Sequence, residues 1–307
     1  MACKCDVGLG NTGTPSCQPI ATVAKKLIVV PTYDSTGVKN SITIGDTLND
    51  AYLLAKINAT DSSQRWFPLP LMENVTQERA ETITEVSGSG AIARIREGIR
   101  TFSGEMWKQS PTFLGKLKAA QCVDISVFVI DTDGNILGSC PSADGKIYPI
   151  AVDKNSWDAQ MAFGTDSTVQ KVVLSFQWSD NERDEYISML TEDDYTFDVL
   201  NAKGLLDVTA EYSAISTTAF TATLSTAYGS KANLVKVKGL VLGDFALAEL
   251  SPTPGAVTIT SVTESADGVY VVDYSGDPQT SADVLELTIT KSGYDFTLVT
   301  SNNITIP

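Results

Sequence analysis

"VFVIDTDGNILG", residues 127–138, can be read as an acidic calcium loop or as the tip of a β-hairpin. A calcium loop of the EF-hand type needs acidic or amide side chains at its first, third and fifth places, glycine at the sixth and glutamate at the twelfth. Asp131, Asp133 and Asn135 fill the first three of these. The sixth place is Ile136, and the glycine, Gly134, stands at the fourth. Without glycine at the sixth place the backbone cannot make the loop's sharp turn. Asp133-Gly134 lies instead between two apolar, β-rich runs, which is the pattern of a tight hairpin. The stretch reads as scaffold, and the fold around it is expected to be mainly β with short helices.

The same texture recurs on both sides. "KLIVVPTY" (26–33) is a short apolar β run, "SADGKIYPI" (142–150) sets Asp144-Gly145 before another, and "DSTVQKVVLSFQW" (166–178) is a long strand. "RAETITEV" (79–86) alternates, "SGSG" (87–90) marks a turn, and "AIARIREGIRTFSGEMW" (91–107) resumes with Arg94, Arg96 and Arg100 on one face and Ile95 and Ile99 on the other. This pair reads as one long hairpin with polar residues on both faces. A sheet wet on both sides fits a segment that meets a neighbouring subunit.

Helix signals are few. "GDTLNDAYLLAKIN" (45–58) offers Asp46 or Thr47 as N-cap, with Ala51, Leu54 and Ala55 on one face and Tyr52 and Ile57 nearby. "SPTFLGKLKAAQ" (110–121) has Ser110 as N-cap, Pro111 at the first helical position and Phe113, Leu114, Leu117 and Ala120 at helical spacing. "SDNERDEYISML" (179–190) opens with Ser179 and Glu182 at capping-box spacing, so a helix is expected there too. Residues 59–74, "ATDSSQRWFPLPLMEN", form a long irregular connection with two prolines and the apolar side chains Trp66, Phe67, Leu69 and Leu71. A loop of that length is usually functional or disordered. An exposed apolar segment marks an interface.

Three units follow: a flexible arm over 1–24, a β domain over 25–215 and a β-sandwich over 216–307. The last reads from strand candidates at short intervals, "AFTATLS", "NLVKVKGL", "AVTITSV", "VYVVDYS", "VLELTIT", "DFTLVTS" and "NITIP". Such spacing fits an immunoglobulin-like sandwich in architecture, without the Cys…Trp…Cys signature.

Composition narrows the function. The 307 residues carry 22 basic and 37 acidic side chains, a formal net charge of −15. That balance argues against binding nucleic acid or anionic membrane by charge. Histidine is absent, which removes the Ser-His-Asp and Cys-His triads and the commonest general base. The acidic groups Glu182/Asp184/Glu185 and Glu192/Asp193/Asp194 read as solvated caps rather than as a glycosidase pair. Cys3, Cys5 and Cys17 cluster near the start, where a metal clip competes with the simpler reading of free thiols. No signal peptide and no run of the ~20 apolar residues that a membrane helix needs is visible. No enzyme activity, cofactor or metal is expected, and a reducing cytosol is the expected place of synthesis.

The order of parts resembles the major tail tube protein of a tailed bacteriophage over roughly 25–213: strand, long loop, the hairpin "ERAETITEV…IREGIRTFSGEMW", the helix "SPTFLGKLKAA", the strand "DISVFVIDTDGNILG", then "STVQKVVLSFQW". The resemblance implies a subunit built as a β-sandwich or open barrel, with an added Ig-like domain at its C-terminus. It implies a virion protein made in the host cytoplasm and assembling with itself into stacked, hexameric rings. Their lumen passes the genome without binding it, and tape measure and terminator proteins are further partners. On this reading Glu81, Glu85, Glu97 and Glu105 face the lumen, Trp66, Phe67, Leu69 and Leu71 stack the rings, and Arg94, Arg96 and Arg100 pair with acids of neighbouring subunits. The alternatives are another tail, head-decoration or adhesin protein, and a carbohydrate-binding module.

Overall fold

Strand Ile125–Asp131 turns back onto strand Ile136–Ser139 in the computed structural model, which describes residue 13 and residues 18–307. Val129 pairs with Leu137 and Ile130 with Ile136, so the quoted stretch is a hairpin. Gly134 sits at φ 92°, a left-handed conformation that glycine adopts without strain. Asp131 is fully buried, and its two oxygens are taken up by the turn itself. They accept from the backbone N–H of Asp133 (2.9 Å), Asn135 (2.8 Å) and Thr22 (2.9 Å), and from the Asn135 side-chain amide (2.7 Å). Burial would raise this carboxyl's pKa, but the four donors outweigh it and hold the group below its ordinary value.

The hairpin lies at the centre of a six-stranded sheet. Its main path runs Ile187–Leu190, Ile136–Ser139, Ile125–Asp131, Ala24–Pro31, Phe67–Pro68, and Ile150–Ala151 also pairs with Ile125–Asp131. The two middle strands are near-continuous apolar runs, and a strand apolar on both faces needs a cover on each. Leu27, Val29, Val127 and Val129 pack on one side against a second sheet, ordered Asp158–Ala162, Lys171–Gln177, Arg100–Trp107, Glu73–Arg79. Ile28, Val30, Phe128 and Ile130 pack on the other side with helix Asp50–Ile57, Trp66, Tyr195, Phe197 and Val199. The N-terminal part is thus a sandwich with an extra layer. No sheet closes into a barrel.

Local signals fared unevenly. Helix Pro111–Ala119 starts as expected, with the Ser110 side chain accepting from Phe113 N–H. Helix Asp50–Ile57 is capped by Asn49 rather than by Asp46 or Thr47. Its buried face is Leu53 and Ile57, while Ala51, Leu54 and Ala55 are exposed. The helix expected over 179–190 is instead a short 3-10 turn, Asp184–Tyr186, followed by strand Ile187–Leu190. Glu182 does not close a capping box. Its carboxylate accepts from the Ser139 hydroxyl (2.7 Å) and Ala151 N–H (3.2 Å), which ties the segment to the sheet edge that Ile187–Leu190 then joins. Residues 18–23 are exposed, Cys3, Cys5 and Cys17 lie outside the described residues, and Cys122 and Cys140 are free.

A separate core fills the C-terminal part between two sheets. One is ordered Ser261–Ala266, Val269–Asp273, Ala219–Gly229, Leu206–Ser213, Tyr294–Asp295, and Leu234–Lys236 also pairs with Ala219–Gly229. The other is ordered Gly255–Val257, Phe245–Ser251, Val284–Ile289, Ile304–Thr305. This core already includes Val208 and Ala210, ahead of the expected division at 215. Strand Phe245–Ser251 went unread in the sequence, and "DFTLVTS" holds a helical turn, Thr297–Thr300, rather than a strand. Two ion pairs cross between the cores: Arg65 with Asp295, both largely buried, and Lys116 with Asp207 at 2.7 Å.

Candidate functional site

The segment read as one long hairpin has two tiers. Its base, Glu73–Arg79 against Arg100–Trp107, belongs to the four-stranded sheet. Beyond the base, Ile83–Val86 pairs only with Ile92–Arg96, around a turn closed by Ser87 N–H to Ala91 C=O at 2.8 Å. Every residue of both strands of this arm is exposed. Among them are Ile92 (71% exposed), Val86 (62%), Ile95 (57%) and Ile83 (42%). A two-stranded ribbon alone is marginal in water, and apolar side chains on both its strands call for a partner.

Charge pairs brace the root of the arm. Glu97 accepts from Arg79 and Arg94, and Asp184 accepts from Arg79 and from Arg100 Nε at 2.7 Å. Asp184 is held below its ordinary pKa, first by the Arg100 hydrogen bond. Arg100 also lies over the Trp178 ring, 5.3 Å from its centroid. Two of the arginines expected to reach across subunits therefore pair within their own chain. Arg96 has no ion pair among the described residues.

The four glutamates expected on one lumen face are not together. Glu97 is bound at the arm's root. Glu105 sits in the sheet and accepts from Lys171 Nζ (2.6 Å), Asn74 (2.9 Å) and Trp107 Nε1 (3.2 Å). Burial opposes its ionisation, yet these donors keep its pKa lowered. Glu81 and Glu85 are exposed on or beside the arm.

The outer face of the four-stranded sheet had no distinct sequence signal. Phe102, Met106, Val172, Leu174, Phe176 and Ala159 point into the core. The alternate residues, Thr101, Ser103, Glu105, Lys171, Val173, Ser175, Gln177 and Gln160, therefore face outwards, with Lys171 paired to Glu105. Glu73 and Glu78 join them through their register with Glu105 and Thr101. The face is polar, with acids at its Glu73–Arg79 side. Neither the Glu73–Arg79 strand nor the Asp158–Ala162 strand has a second neighbour, so both edges are open.

The connection over 59–74 is not a free loop. Trp66 is 1% exposed and packs against Tyr52 and Phe128, with ring centroids 6.1 and 5.4 Å away. Leu69 is also buried, in the other core, and Phe67–Pro68 pairs with the Ala24–Pro31 strand. Of the four apolar side chains expected to stack rings, only Phe67 and Leu71 are exposed. These two help line a groove of 1060 Å³ between this segment, helix Pro111–Ala119 and residues 200–207. Lys26 borders it, donating to the carbonyls of Leu200 (2.7 Å) and Ala202 (2.5 Å). Burial lowers its pKa to about 8, against the pull of Asp198.

Each acidic cluster has members tied into the fold. Besides Glu182 and Asp184, Asp194 closes a capping box with Thr191. Among the described residues no group of three or more histidine, cysteine or acidic side chains is placed to hold a metal, and no helix is long and apolar enough to cross a membrane.

No family model matches the chain, and no curated protein matches it. Distant similarity to solved structures includes one chain of a phage-like assembly. It comes from the baseplate of the anti-feeding prophage, seen by cryo-EM with six-fold symmetrisation. The match covers 57% of this chain and 98% of that one, at 10% identity and a TM-score of 0.25.

Proposed function

We propose that this protein is a structural subunit of a phage tail, assembling with itself into rings that stack as a tube for genome passage. The observation that carries this reading is the four-stranded sheet: polar on its outer face, apolar on its inner face and open at both edges. An open edge is a template for pairing, and a ring of such sheets joined edge to edge leaves no edge exposed. The polar face would then line a water-filled channel. Its Ser, Thr, Gln and Glu side chains offer few cationic sites to DNA phosphates, in keeping with the chain's net charge of −15. Of the four glutamates expected at the lumen only Glu105 lies on this face, paired with Lys171, and Glu73, Glu78, Thr101 and Ser103 share the face with it. The C-terminal sandwich, with its own core, sits outside as an immunoglobulin-like decoration.

Negative-stain microscopy and light scattering of the purified chain test the proposal. Rings or stacked rings with a central hole are expected. A monomer that persists up to the solubility limit would overturn it.

A further inference from the structure

The four-stranded sheet carries different exposed apolar groups at its two ends. At one end the arm leaves the sheet, with Ile83, Val86, Ile92 and Ile95 in water. At the other end lie Trp107 (45% exposed), Phe163 (73%) and Val169 (42%). Register brings these three together. Trp107 is the partner of Lys171, which is the partner of Ala162. Phe163 follows Ala162, and Val169 precedes Gln170, whose carbonyl accepts from Lys108 N–H at 2.8 Å. The Trp107 ring is already oriented, because its Nε1 donates to Glu105, itself fixed by Lys171. An exposed tryptophan held in one orientation loses little freedom on being covered, which suits it as an anchor.

We propose that the arm of one copy docks on the Trp107–Phe163–Val169 patch of another copy, making a head-to-tail contact along the strand direction. The deduction rests on the self-assembly reading above and names its contact. Two observations select a second copy as the occupant. First, the two patches are unlike and lie at opposite ends of one sheet, so a single contact repeats without using up either surface. Second, the unpaired charges match. The arm carries Arg96, with Glu81 and Glu85 nearby, and the patch is flanked by Asp166 and Lys108; among the described residues none of these five has an ion-pair partner. Val86 and Ile92 are cross-strand partners and share one face of the arm, giving the aliphatic surface that would cover the rings.

The arm also has the reach. Residues 80–89 in extended form span roughly 30 Å, against about 23 Å for the strand Arg100–Trp107. The tip can therefore leave its own sheet and reach past a neighbour's end.

The test is a photo-cross-link from the arm tip in the full-length chain. Ile92 is replaced by benzoyl-phenylalanine, which is accommodated at an exposed site. Chains carrying it are mixed with an isotope-labelled partner, assembled, irradiated and digested. Cross-links from residue 92 of one chain to the peptides holding Trp107, Phe163 or Val169 of the other are expected. Assemblies that form but cross-link elsewhere, or only within one chain, would overturn the docking while leaving self-assembly standing. A chain that never assembles would overturn both. A charge exchange gives a second readout. Arg96→Glu should raise the concentration needed for assembly about tenfold, and Asp166→Arg should restore it. No rescue, with both variants folded, would remove this pair from the contact.

Discussion

Replacing Asp131 by asparagine keeps the size and shape of the side chain but turns one acceptor into a donor. The buried carboxylate now accepts four hydrogen bonds, two on each oxygen. In the variant the amide NH2 faces the Thr22 N–H donor against donor, the Asn135 amide must flip to accept, and the remaining bonds lose their charged acceptor, a loss of about two charge-assisted bonds. Bonds to a charged acceptor contribute roughly 1.5–3 kcal/mol each, so the cost should be about 3–6 kcal/mol. With m near 2 kcal/mol per molar urea for a domain of this size, the midpoint should fall by about 2 M. Tryptophan fluorescence isolates the effect, because Trp66, Trp107, Trp157 and Trp178 all precede the C-terminal core. The pH dependence has a fixed sign. A carboxyl whose folded pKa is depressed adds stability above its unfolded pKa of ~3.9 and loses it as pH falls through the folded value. The gap between wild type and Asp131→Asn should therefore be full at neutral pH and close below about pH 4. A midpoint shift under about 0.5 M would refute the view that this carboxylate organises the turn. So would a rise in wild-type stability on adding calcium that Asp131→Asn abolishes.

Trp66→Ala should cost about 3–5 kcal/mol in the same urea assay, while Phe67→Ala and Leu71→Ala stay within about 1 kcal/mol; equal effects would mean that the segment is a uniform loop after all. A chain ending at residue 204 should be soluble and folded by circular dichroism, whereas one ending at 215 should aggregate, because strand Leu206–Ser213 would keep Val208 and Ala210 without the core that buries them. Glu78→Lys together with Thr101→Lys should leave assemblies intact but make them retain DNA at low salt in a filter-binding assay, with retention lost near physiological salt as screening shortens to ~8 Å. Unchanged DNA binding in intact assemblies would place the sheet face away from the channel.

Much of this architecture is written locally. The hairpin around Gly134 follows from a positive-φ position and an aspartate able to close its own turn, both within five residues of chain. The Ser110-Pro111 helix start is local for the same reason. The two middle strands announce themselves by the near-continuous apolar runs Leu27–Pro31 and Val127–Ile130. Net charge and the lack of histidine likewise needed no structure. Elsewhere competition across the chain decided. Ser179–Leu190 has the caps of a helix, but Glu182 finds its partners on Ser139 and Ala151, and Ile187–Leu190 gains a full ladder on Ile136–Ser139. Trp66 and Phe67 are adjacent and equally apolar in sequence. Only the helix Asp50–Ile57 and Phe128, which close over one of them, make it core and leave the other in water. The arm's isolation follows the same rule: Ile83–Val86 and Ile92–Arg96 look like sheet strands, and nothing within them records that no second layer covers them. Local geometry fixes turns and caps because the interacting groups are neighbours in the chain. Burial and partner choice depend on groups in other elements of the fold, and those are settled only when the layers pack.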